Sequence, residues 1–416
     1  MGILSNLRRR VAIASTITIA ALGLALVPTP AGATGQAWAI VPSADGGAGS
    51  SNLNGVSCTS TTNCVAVGYY DNGSVAAMLA EHWNGTAWSL DTVPTPPGSL
   101  GDDLGSVSCT SSSFCVALGT FDAGAGPMAI AVHWNGSAWS LVSIPHPSVL
   151  DNGLNDIACL STTDCTAVGT YNTGATSETY VARWDGTAWS IVPSPNVGPP
   201  GTSNGLRSVS CTSATTCMAV GVVDDGSSTS TLAMTWDGST WTIVPSPNAG
   251  SAGANNNLGS VACTSATSCV AVGRYFDSGW NSLAMTWNGS AWTVVPAASP
   301  GVGSTRLQSI ACVSATACTA VGTFFDGSQQ LTMAQNWDGS TWTLATTPTS
   351  GTGDNDLRSI ACLAASDCVA VGIAPDSNFD NQTLVLMSTD PNPPAPPTTT
   401  TTTAPSGDPV VPAFTG

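Results

Sequence analysis

Hydrophobic residues recur along this chain in short alternating runs separated by polar turns, and the same order of runs returns seven times. A typical repeat, Leu206–Pro247, contains two cysteines separated by five residues, then Ala-Val-Gly, a variable polar patch, Trp-Asp-Gly-Ser-Thr-Trp and an apolar run closed by prolines. A fixed period of this size indicates a repeat architecture.

Each repeat divides into four short strands, predicted in the first full repeat at Leu53–Thr59, Cys64–Tyr70, Val75–Trp83 and Ala87–Val93. Strands of this length, rich in Val, Ile, Trp and Thr and bounded by turn residues, are typical of an all-β fold. In six repeats Asn-Gly or Asp-Gly joins strands three and four, which suits a two-residue turn with positive φ at both positions. The two tryptophans that flank this turn share one face, and we expect them to be buried between repeats.

The two ends of the repeat region complement each other. Ala37–Pro42 matches the last strand of a repeat although no repeat precedes it, and the seventh repeat, Leu357–Ser388, has no closing hairpin. The ends of a linear array are capped separately, whereas a ring is completed if the first strand fills the gap in the last repeat. The pattern therefore predicts a closed seven-bladed β-propeller with four strands per blade, in which Trp38 supplies a tryptophan that the last blade lacks.

The fourteen cysteines form seven pairs with five residues between the partners, and none is left over. In an exported protein this pattern predicts disulfides, because metal ligation usually requires a second close pair or a neighbouring histidine. Each short ring would stabilise its blade by roughly 2–3 kcal/mol, a role that we favour over redox activity. The predicted pairs are Cys58/Cys64, Cys109/Cys115, Cys159/Cys165, Cys211/Cys217, Cys263/Cys269, Cys312/Cys318 and Cys362/Cys368.

The charge of the chain argues against two classes of partner. Lysine is absent, and without the N-terminal segment that contains Arg8–Arg10, five arginines face 25 acidic residues, a net charge of about −20. Nucleic acid and anionic membranes are bound by basic side chains that displace counterions from phosphates, so we expect neither as a partner.

Both termini differ from the repeats. Residues 1–33 combine the basic Arg8–Arg10, the apolar Val11–Leu26 and the small residues Ala31–Ala33, which indicates a secretory signal peptide; a retained membrane anchor is the alternative. Residues 391–416 are rich in proline and threonine and predict an extended, disordered tail, and its last residues faintly resemble a cell-wall sorting signal. The predicted domains are a signal peptide (1–33), the propeller (34–390) and the tail (391–416).

Two motifs carry a resemblance to known proteins. Ser210–Gly221 (SCTSATTCMAVG) together with Trp236–Trp241 (WDGSTW) resembles secreted repeat proteins common in actinobacteria, most of which carry no assigned activity, and the likeness covers residues 37–390. The Asp-Gly-x-x-Trp portion is also similar to the Asp-box and kelch hairpins of β-propellers, a class that includes sialidases, sugar oxidases and lectins. Half of the six turns have Asn in place of Asp, so this likeness supports the fold and carries over no catalytic residue.

The loops after strands two and four are predicted on one face of the propeller, opposite the cysteine loops. In most blades an aromatic residue followed by Asp or Asn opens the first of these loops, as in Tyr70-Asp71, Phe121-Asp122, Phe276-Asp277 and Phe325-Asp326. Such a pair can bind a sugar through the aromatic ring and the carboxylate. Alternatively, the aromatic side chain fills the gap between blades and the acidic residue only forms its turn.

Trp280 and one acidic segment depart from the repeat. Trp280 lies in the variable loop Asp277–Asn281 and is the candidate for an exposed ligand contact. Asp376, Asn378 and Asp380 alternate as calcium ligands do, but the Gly and Glu of an EF-hand loop do not follow, so we assign no cofactor and treat Ca²⁺ as a partial match.

The sequence shows no recognisable catalytic motif. A glycosidase needs a pair of carboxylates, but the two glutamates, Glu81 and Glu178, both lie in predicted third strands. Arg207 and Arg358 share a repeat position on the first strand, and Arg306 lies one residue out of register. These arginines either point toward a central channel or are scattered over the surface.

The sequence therefore favours a secreted or cell-surface binding module that is non-catalytic, monomeric and not inserted in the membrane after signal removal, with possible attachment to the cell wall. Its expected ligand is a glycan or an extracellular protein, bound by Asp71, Asp122, Asp277, Trp280 and Asp326. The alternative is a carbohydrate-active enzyme, a hydrolase or a lyase, with its site at the channel mouth.

Overall fold

The computed structural model describes residues 37–389 except 48, 123, 125, 352 and 377–379. The predicted signal peptide and the predicted tail lie outside these residues, so their boundaries stay predictions. The described part of the chain consists of strands and connecting turns, and it contains no helix that could cross a membrane.

The strands form seven antiparallel sheets of four strands, and each sheet is one blade. Blades 1 to 3 contain β2 (Ser51–Ser60), β3 (Asn63–Asp71), β4 (Ala76–Trp83), β5 (Trp88–Leu90), β6 (Asp102–Ser111), β7 (Phe114–Asp122), β8 (Pro127–Trp134), β9 (Trp139–Val142), β10 (Asn152–Ser161), β11 (Asp164–Asn172), β12 (Ser177–Trp184) and β13 (Trp189–Ile191). Blades 4 to 6 contain β14 (Ser203–Ser213), β15 (Thr216–Asp224), β16 (Thr229–Trp236), β17 (Trp241–Ile243), β18 (Asn256–Ser265), β19 (Ser268–Phe276), β20 (Trp280–Trp287), β21 (Trp292–Val295), β22 (Thr305–Ser314), β23 (Ala317–Phe325), β24 (Gln330–Trp337) and β25 (Trp342–Ala345). Blade 7 contains β26 (Asp356–Ala364), β27 (Asp367–Pro375), β28 (Asn381–Thr389) and β1 (Ala37–Val41). The predicted seven-bladed propeller is confirmed.

The ring closes as the sequence predicts. The N-terminal strand β1 pairs antiparallel with β28, in a register that places Ala39 opposite Met387 and Val41 opposite Val385. Blade 7 is therefore assembled from both ends of the described chain, and its outermost strand is the first strand in the sequence.

Outer strands are shorter than predicted. In blade 1 the fourth strand covers Trp88–Leu90 instead of Ala87–Val93. The chain leaves the sheet before Pro94 and Pro96, which have no amide proton to donate to a neighbouring strand. Outer strands of three to five residues leave little exposed edge for pairing with another chain.

A disulfide links the first two strands of every blade. The partners lie directly opposite each other, as Cys58 and Cys64 do, and all seven predicted pairs are formed. Disulfides of this density are typical of proteins that fold in an oxidising compartment.

The second cysteine of a pair is buried more deeply than its position beside a polar loop suggests. Cys115 and Cys165 are 0% exposed and Cys368 is 1% exposed, whereas their partners on the first strand are only partly buried. The reason is that the second strand packs between blades, where these three sulfurs join the apolar clusters. Cys115, Cys165 and Cys368 thus lie in the core as members of the predicted disulfides.

The Asn-Gly and Asp-Gly turns differ from the prediction. Trp83 pairs with Trp88, so the connection has four residues, and Gly85 has φ +94° whereas Asn84 does not have a positive φ. The reason is the Asn84 side chain, whose Oδ1 accepts hydrogen bonds from the amides of Thr86 and Ala87 at 2.9 and 3.0 Å. The asparagine thus caps the turn in an ordinary conformation, and the glycine alone takes the left-handed one.

The core lies between neighbouring blades. One cluster joins Val67 and Ala80 of blade 1 to Leu104 and Trp139 of blade 2, and equivalent clusters recur around the ring. The two tryptophans of each hairpin contact each other, with ring centres 5.4 to 5.9 Å apart in blades 1 to 6. The fourth-strand tryptophan is buried in every blade, so the predicted role of these residues as core is confirmed.

Each first strand carries a β-bulge one residue after a buried leucine, for example at Asn54 in blade 1. The second strand approaches the first so closely here that a Cβ at Gly68 would lie 1.8 Å from the Asn52 carbonyl oxygen. Only glycine fits at this position, which explains why the repeated Ala-Val-Gly motif ends in Gly. A bulge redirects the side chain of its unpaired residue. The seven bulge residues are Asn54, Gly105, Asn155, Arg207, Gly259, Gln308 and Arg358.

Candidate functional site

A polar cavity of about 100 Å³ lies where the first strands of all seven blades meet. Its walls are the seven bulge residues and the residues that follow them in each strand, which are Gly55, Ser106, Asp156, Ser208, Ser260, Ser309 and Ser359. Because every blade contributes the same strand position, this cavity is the central channel of the propeller.

The serines of this wall tie neighbouring blades together. Ser309 Oγ accepts a hydrogen bond from the Ile360 amide at 3.3 Å, and Ser359 Oγ accepts one from the Val56 amide at 3.2 Å across the closure. Backbone amides that a neighbouring blade satisfies in this way fix the spacing of the first strands. The channel wall is therefore a rigid support for the side chains that point into it.

Asp156 holds three blades together at the same level. Its carboxylate accepts hydrogen bonds from Ser106 Oγ in blade 2 at 2.8 Å, and from Ser208 Oγ and the Val209 amide in blade 4 at 2.7 and 2.9 Å. Burial raises the pKa of Asp156, and these hydrogen bonds oppose that effect. Its oxygens are thus committed to the inter-blade contact.

Four of the five arginines in the described chain lie in blades 4 to 7, on first or second strands around the channel. They are Arg207 in β14, Arg274 in β19, Arg306 in β22 and Arg358 in β26. The fifth, Arg183, lies at the cysteine-loop face, where its Nη2 is 2.7 Å from Asp164 Oδ1. The sequence left open whether Arg207 and Arg358 point toward the channel or are scattered over the surface. In the structure both residues line the channel cavity.

One carboxylate serves two of these arginines. Asp356 Oδ2 lies 2.9 Å from Arg306 Nη2 and 3.7 Å from Arg358 Nε, and Arg358 Nη1 also donates a hydrogen bond to Asn54 Oδ1 at 2.7 Å. The Gln308 amide donates a further hydrogen bond to Asp356. Burial raises the pKa of Asp356, and both arginines counteract this by stabilising the charged form.

Arg274 has an aromatic neighbour in place of a carboxylate. Its guanidinium carbon lies 4.3 Å from the centre of the Trp280 ring, a favourable cation–π geometry. Burial, together with repulsion from Arg306 and Arg207, lowers the pKa of Arg274. Among the described residues, neither Arg274 nor the exposed Arg207 forms an ion pair.

The predicted ligand residues Asp71, Asp122 and Asp326 form their own turns. Asp71 Oδ1 accepts a hydrogen bond from the Gly73 amide at 2.8 Å, and Asp122 Oδ1 accepts one from the Gly124 amide at 2.6 Å. Asp326 Oδ1 accepts from two amides and a hydroxyl within its loop, and these contacts lower its pKa. Their placement agrees with the turn-forming alternative, and no described contact brings the three together.

The aromatic residues of this face behave differently from blade to blade. Tyr70, Phe121 and Tyr171 pack against the core between blades, as the alternative interpretation expects. In blade 5 the preceding residue, Tyr275, takes that place, and Phe276 is 43% exposed as a result. Phe276 occupies the strand position that Asp71 has in blade 1, which places an aromatic ring on the surface next to Trp280 and its neighbour Arg274.

Trp280 is less exposed than its sequence suggests. It is the first residue of β20 rather than a loop residue, and its amide donates a hydrogen bond to the Gly303 carbonyl at 3.0 Å. Its ring is partly buried, stacks on Arg274 and meets Phe276 edge-on with ring centres 5.4 Å apart. Ser278, with φ +57°, lies in the three-residue loop between β19 and β20, which is one residue shorter than the equivalent loop in blades 1 to 4 and 6. Trp280 therefore orients Arg274, and Asp277 stays exposed beside it.

The predicted calcium ligands are only partly described. Asp376 Oδ1 accepts a hydrogen bond from the Asp380 amide at 3.0 Å, whereas Asn378 lies outside the described residues. Within the described residues, no group of three or more His, Cys, Asp or Glu side chains is placed to hold a metal. Calcium binding at this loop stays a prediction.

The two glutamates lie in third strands, as predicted, and both have protein partners. Glu81 is buried and accepts hydrogen bonds from Ser43 Oγ at 2.9 Å and the Ala44 amide at 3.2 Å, and burial raises its pKa to about 7. Glu178 Oε2 accepts a hydrogen bond from the Tyr171 hydroxyl at 2.5 Å.

Sequence reasoning missed Arg274, the arginine that connects the channel with the Phe276–Trp280 loop. The available signal was its position directly after Gly273 of the Ala-Val-Gly motif. At that position the other blades have uncharged residues, which are Tyr69, Thr120, Thr170, Val222, Thr323 and Ile373. A cation at this repeat position is unique to blade 5.

These features define the class of the protein: a seven-bladed, disulfide-linked β-propeller with an arginine-rich mouth to its central channel. No family of known proteins and no curated protein matches the sequence.

Solved structures show the same fold in other propellers. The chain is similar to Ycf48 bound to D1 peptide, with a TM-score of 0.53 and 14% identity over 88% of this chain and 100% of that one. It is also similar to a polysaccharide lyase of family PL25, an ulvan lyase bound to -[GlcA(1-4)Rha3S]-, with a TM-score of 0.53 and 9% identity over 79% of this chain and 90% of that one. At such low identities the likeness concerns the fold.

Proposed function

We propose that this protein is an exported, non-catalytic binding module that presents the arginine-bearing face of its propeller to an extracellular glycan. The observation that carries the proposal is the open, polar channel mouth on a rigid ring, with Phe276 and Asp277 exposed beside it. Ligand sites that combine a few polar groups with an aromatic surface are typical of sugar binding.

Export rests on two features of the chain. The N-terminal residues 1–33 have the pattern of a signal peptide, and the seven disulfides need an oxidising compartment to form. The proline- and threonine-rich residues 391–416 then serve as a spacer that holds the propeller away from the cell wall. The closed ring and short outer strands favour a monomer.

The carboxylates near the channel support a non-catalytic role. Asp156 is the acidic residue among those that line the described cavity, and Asp103 and Asp356 lie on first strands two residues before the wall; all three carboxylates accept hydrogen bonds or ion pairs from the protein. A hydrolase of the common type needs two free carboxyl groups on either side of a scissile bond. Such a pair is not found among the described residues that line the channel.

Comparison with other propellers is compatible with this function. One similar structure is bound to a peptide and another to a saccharide, and both classes of ligand are within our expectation. We favour the glycan because an exposed aromatic ring stands next to hydrogen-bond donors at the mouth.

A glycan array probed with the secreted full-length chain tests the proposal. We expect retention of a defined set of saccharides without release of products, measured by mass spectrometry of the eluted ligands. Cleaved products would favour the alternative function as a carbohydrate-active enzyme. If no glycan binds and the protein instead captures a cell-surface protein, the ligand is a protein and the proposed glycan ligand is wrong.

A further inference from the structure

The distribution of positive charge in this molecule is uneven. Without the N-terminal segment the chain has five arginines and no lysine against 25 acidic residues, yet four of those arginines lie on channel-side strands of blades 4 to 7, and two of them, Arg207 and Arg358, line the central channel. They come from four consecutive blades: Arg306 and Arg358 share Asp356 as a partner, and Arg274 is close enough to Arg306 and Arg207 to be repelled by them. A cationic site is thus concentrated on an otherwise acidic molecule.

The positive charge of this site is only partly balanced by the protein. Asp356 lies within ion-pair distance of Arg306 and Arg358, so one carboxylate is shared between two guanidinium groups. Arg207 and Arg274 have no carboxylate within ion-pair distance among the described residues. The remaining acidic side chain of the wall, Asp156, is engaged by Ser106, Ser208 and backbone amides.

Arg274 lies against an aromatic ring and close to two other arginines. Its guanidinium is half-buried against Trp280 and close enough to Arg306 and Arg207 for repulsion to lower its pKa. Like charges repel more strongly near a protein surface than in bulk water, because the effective dielectric constant is lower. Stacking on Trp280 holds Arg274 in place against this repulsion, so the donors are oriented before a ligand arrives.

The arginine group also has the geometry that oxyanions require. Guanidinium groups offer planar pairs of N–H donors that match carboxylate and sulfate oxygens. They stand on strands whose spacing is fixed by inter-blade hydrogen bonds, such as the one from the Val261 amide to Ser208 Oγ at 3.1 Å. The channel cavity of about 100 Å³ has room for one small anionic substituent and not for a saccharide ring.

The surroundings of the site suit a sugar better than a peptide. Phe276 is 43% exposed, and Val302, next to the Gly303 carbonyl that binds the Trp280 amide, is 64% exposed. Phe276 meets the Trp280 ring that stacks on Arg274, so it offers an apolar surface near the guanidinium, on which the C–H face of a pyranose can lie while its acidic substituent enters the mouth.

We propose that Arg207, Arg274 and Arg306 bind the carboxylate or sulfate group of an acidic glycan at the channel mouth, with the sugar ring against Phe276. This inference rests on the proposed function and names the ligand class of the same site. One charged group at a chain end, or on a sparsely charged glycan, is preferred, because the net charge of about −20 repels a dense polyanion elsewhere on the surface.

Titration of the secreted full-length chain with glucuronate, inorganic sulfate and neutral glucose tests the inference. We expect glucuronate and sulfate to bind and to raise the melting temperature, and glucose to bind much more weakly. Arg274→Gln and, separately, Arg207→Gln should weaken binding of both anions about tenfold to a hundredfold, as expected for loss of a charge-assisted hydrogen bond. Added NaCl should weaken binding as well.

Arg183→Gln is the matched control, since it removes the fifth arginine and its ion pair from the opposite face. It should leave the affinity for glucuronate unchanged. Arg207 is exposed and unpaired, so Arg207→Gln keeps the test valid even if Arg274→Gln impairs folding. Equal loss of affinity in all three variants would overturn the inference, because the effect would then be one of net charge.

The same variants on the glycan array separate this inference from the proposed function. Retention of uronate- or sulfate-bearing glycans that is lost in Arg274→Gln supports both. If neutral glycans are retained and the arginine variants do not change their retention, the proposed glycan-binding function stands. The proposed anion site is then wrong. Failure of glucuronate and sulfate to bind overturns the anion site directly, and arginine-dependent capture of acidic peptides in place of glycans overturns the ligand class.

Discussion

Trp38 lies directly opposite Ser388 in the antiparallel pair that closes the ring. In blades 1 to 6 the position of Ser388 holds a tryptophan whose Nε1 donates to a carbonyl of the cysteine loop, as Trp83 does to Thr61 at 3.1 Å. Ser388 Oγ replaces that contact by donating to the Ser366 carbonyl at 3.2 Å. The last blade thus keeps a hydrogen bond from this position to its cysteine loop, at the next carbonyl along the chain, while Trp38 restores the buried fourth-strand ring.

Replacement of Trp38 should weaken the closure of the ring and so lower the stability of the protein. Trp38 is 8% exposed and packs against blades 6 and 7, so Trp38→Ala should lower the free energy of unfolding by about 3–5 kcal/mol in urea titrations followed by circular dichroism. Ile40→Ala, on the same strand but 43% exposed, is the control and should cost much less. Equal, small effects of both changes would mean that β1 contributes little to closure.

Glu81 should make the stability of the protein depend on pH. Burial raises its pKa from the ordinary value of 4.5 to about 7, so the folded state binds more protons than the unfolded state between these values. The contribution is complete below pH 4.5 and is lost as the pH rises through 7, on the order of 3 kcal/mol in total. Urea titrations at pH 4, 5.5, 7 and 8 would measure it.

Glu81→Gln should remove this dependence and stabilise the protein at pH 8. Blade 6 already has a glutamine at the equivalent position, where Gln335 exchanges two hydrogen bonds with the backbone of Ala298 at 2.8 and 2.9 Å. Glu178→Gln is the control and should leave the decline of stability between pH 4.5 and 7 in place. A flat profile for the unaltered protein would show that Glu81 stays ionised throughout.

Loss of a single disulfide should destabilise the protein without unfolding it. The double change Cys312→Ser and Cys318→Ser opens a loop with a sequence separation of 6, and the chain-entropy estimate for such a loop is about 2 kcal/mol. The same change at Cys211 and Cys217 should have an equal effect, because the sequence separation is identical. Chemical denaturation under non-reducing conditions measures both variants. An unchanged denaturation midpoint would show that these disulfides do not stabilise the protein.

Asparagine and aspartate should be interchangeable at the hairpin turns above pH 5. Asp185 Oδ1 accepts hydrogen bonds from the amides of Thr187 and Ala188, which matches the contacts of Asn84 in blade 1. These bonds lower the pKa of Asp185 to about 2, so its contribution is present above the ordinary value of 3.8 and is lost toward pH 2.

Asp185→Asn should therefore keep the melting temperature at pH 7 and lose less stability in acid, whereas Asp185→Ala should lower the melting temperature at both pH values. Differential scanning calorimetry at pH 7 and pH 2.5 compares the three proteins. A decrease for Asp185→Asn as large as that for Asp185→Ala at pH 7 would show that the carboxylate charge, and not the accepting oxygen, supports the turn.

Much of the fold was determined by the sequence alone, because the relevant interactions are local or repeated. Cysteines five residues apart, the Ala-Val-Gly close approach and the Asn-Gly turn each act within one blade, and seven copies of one pattern define its period. Closure was predictable from the fragment around Trp38, since it matches the part that the seventh repeat lacks. The turn geometry was not, because the capping bonds of Asn84 depend on side-chain placement.

The candidate site was decided by the tertiary structure. Arg207, Arg274 and Arg306 lie in three different repeats, and only the circular arrangement of blades brings their charges close enough to repel one another. The bulge in each first strand, which the alternation of residues does not reveal, turns Arg207 toward the axis. Likewise, Glu81 is an ordinary third-strand residue in the sequence, and the closing segment at Ser43 buries it. Local patterns determine strands and turns, whereas the electrostatics of a site depend on the distances between residues that are far apart in the chain.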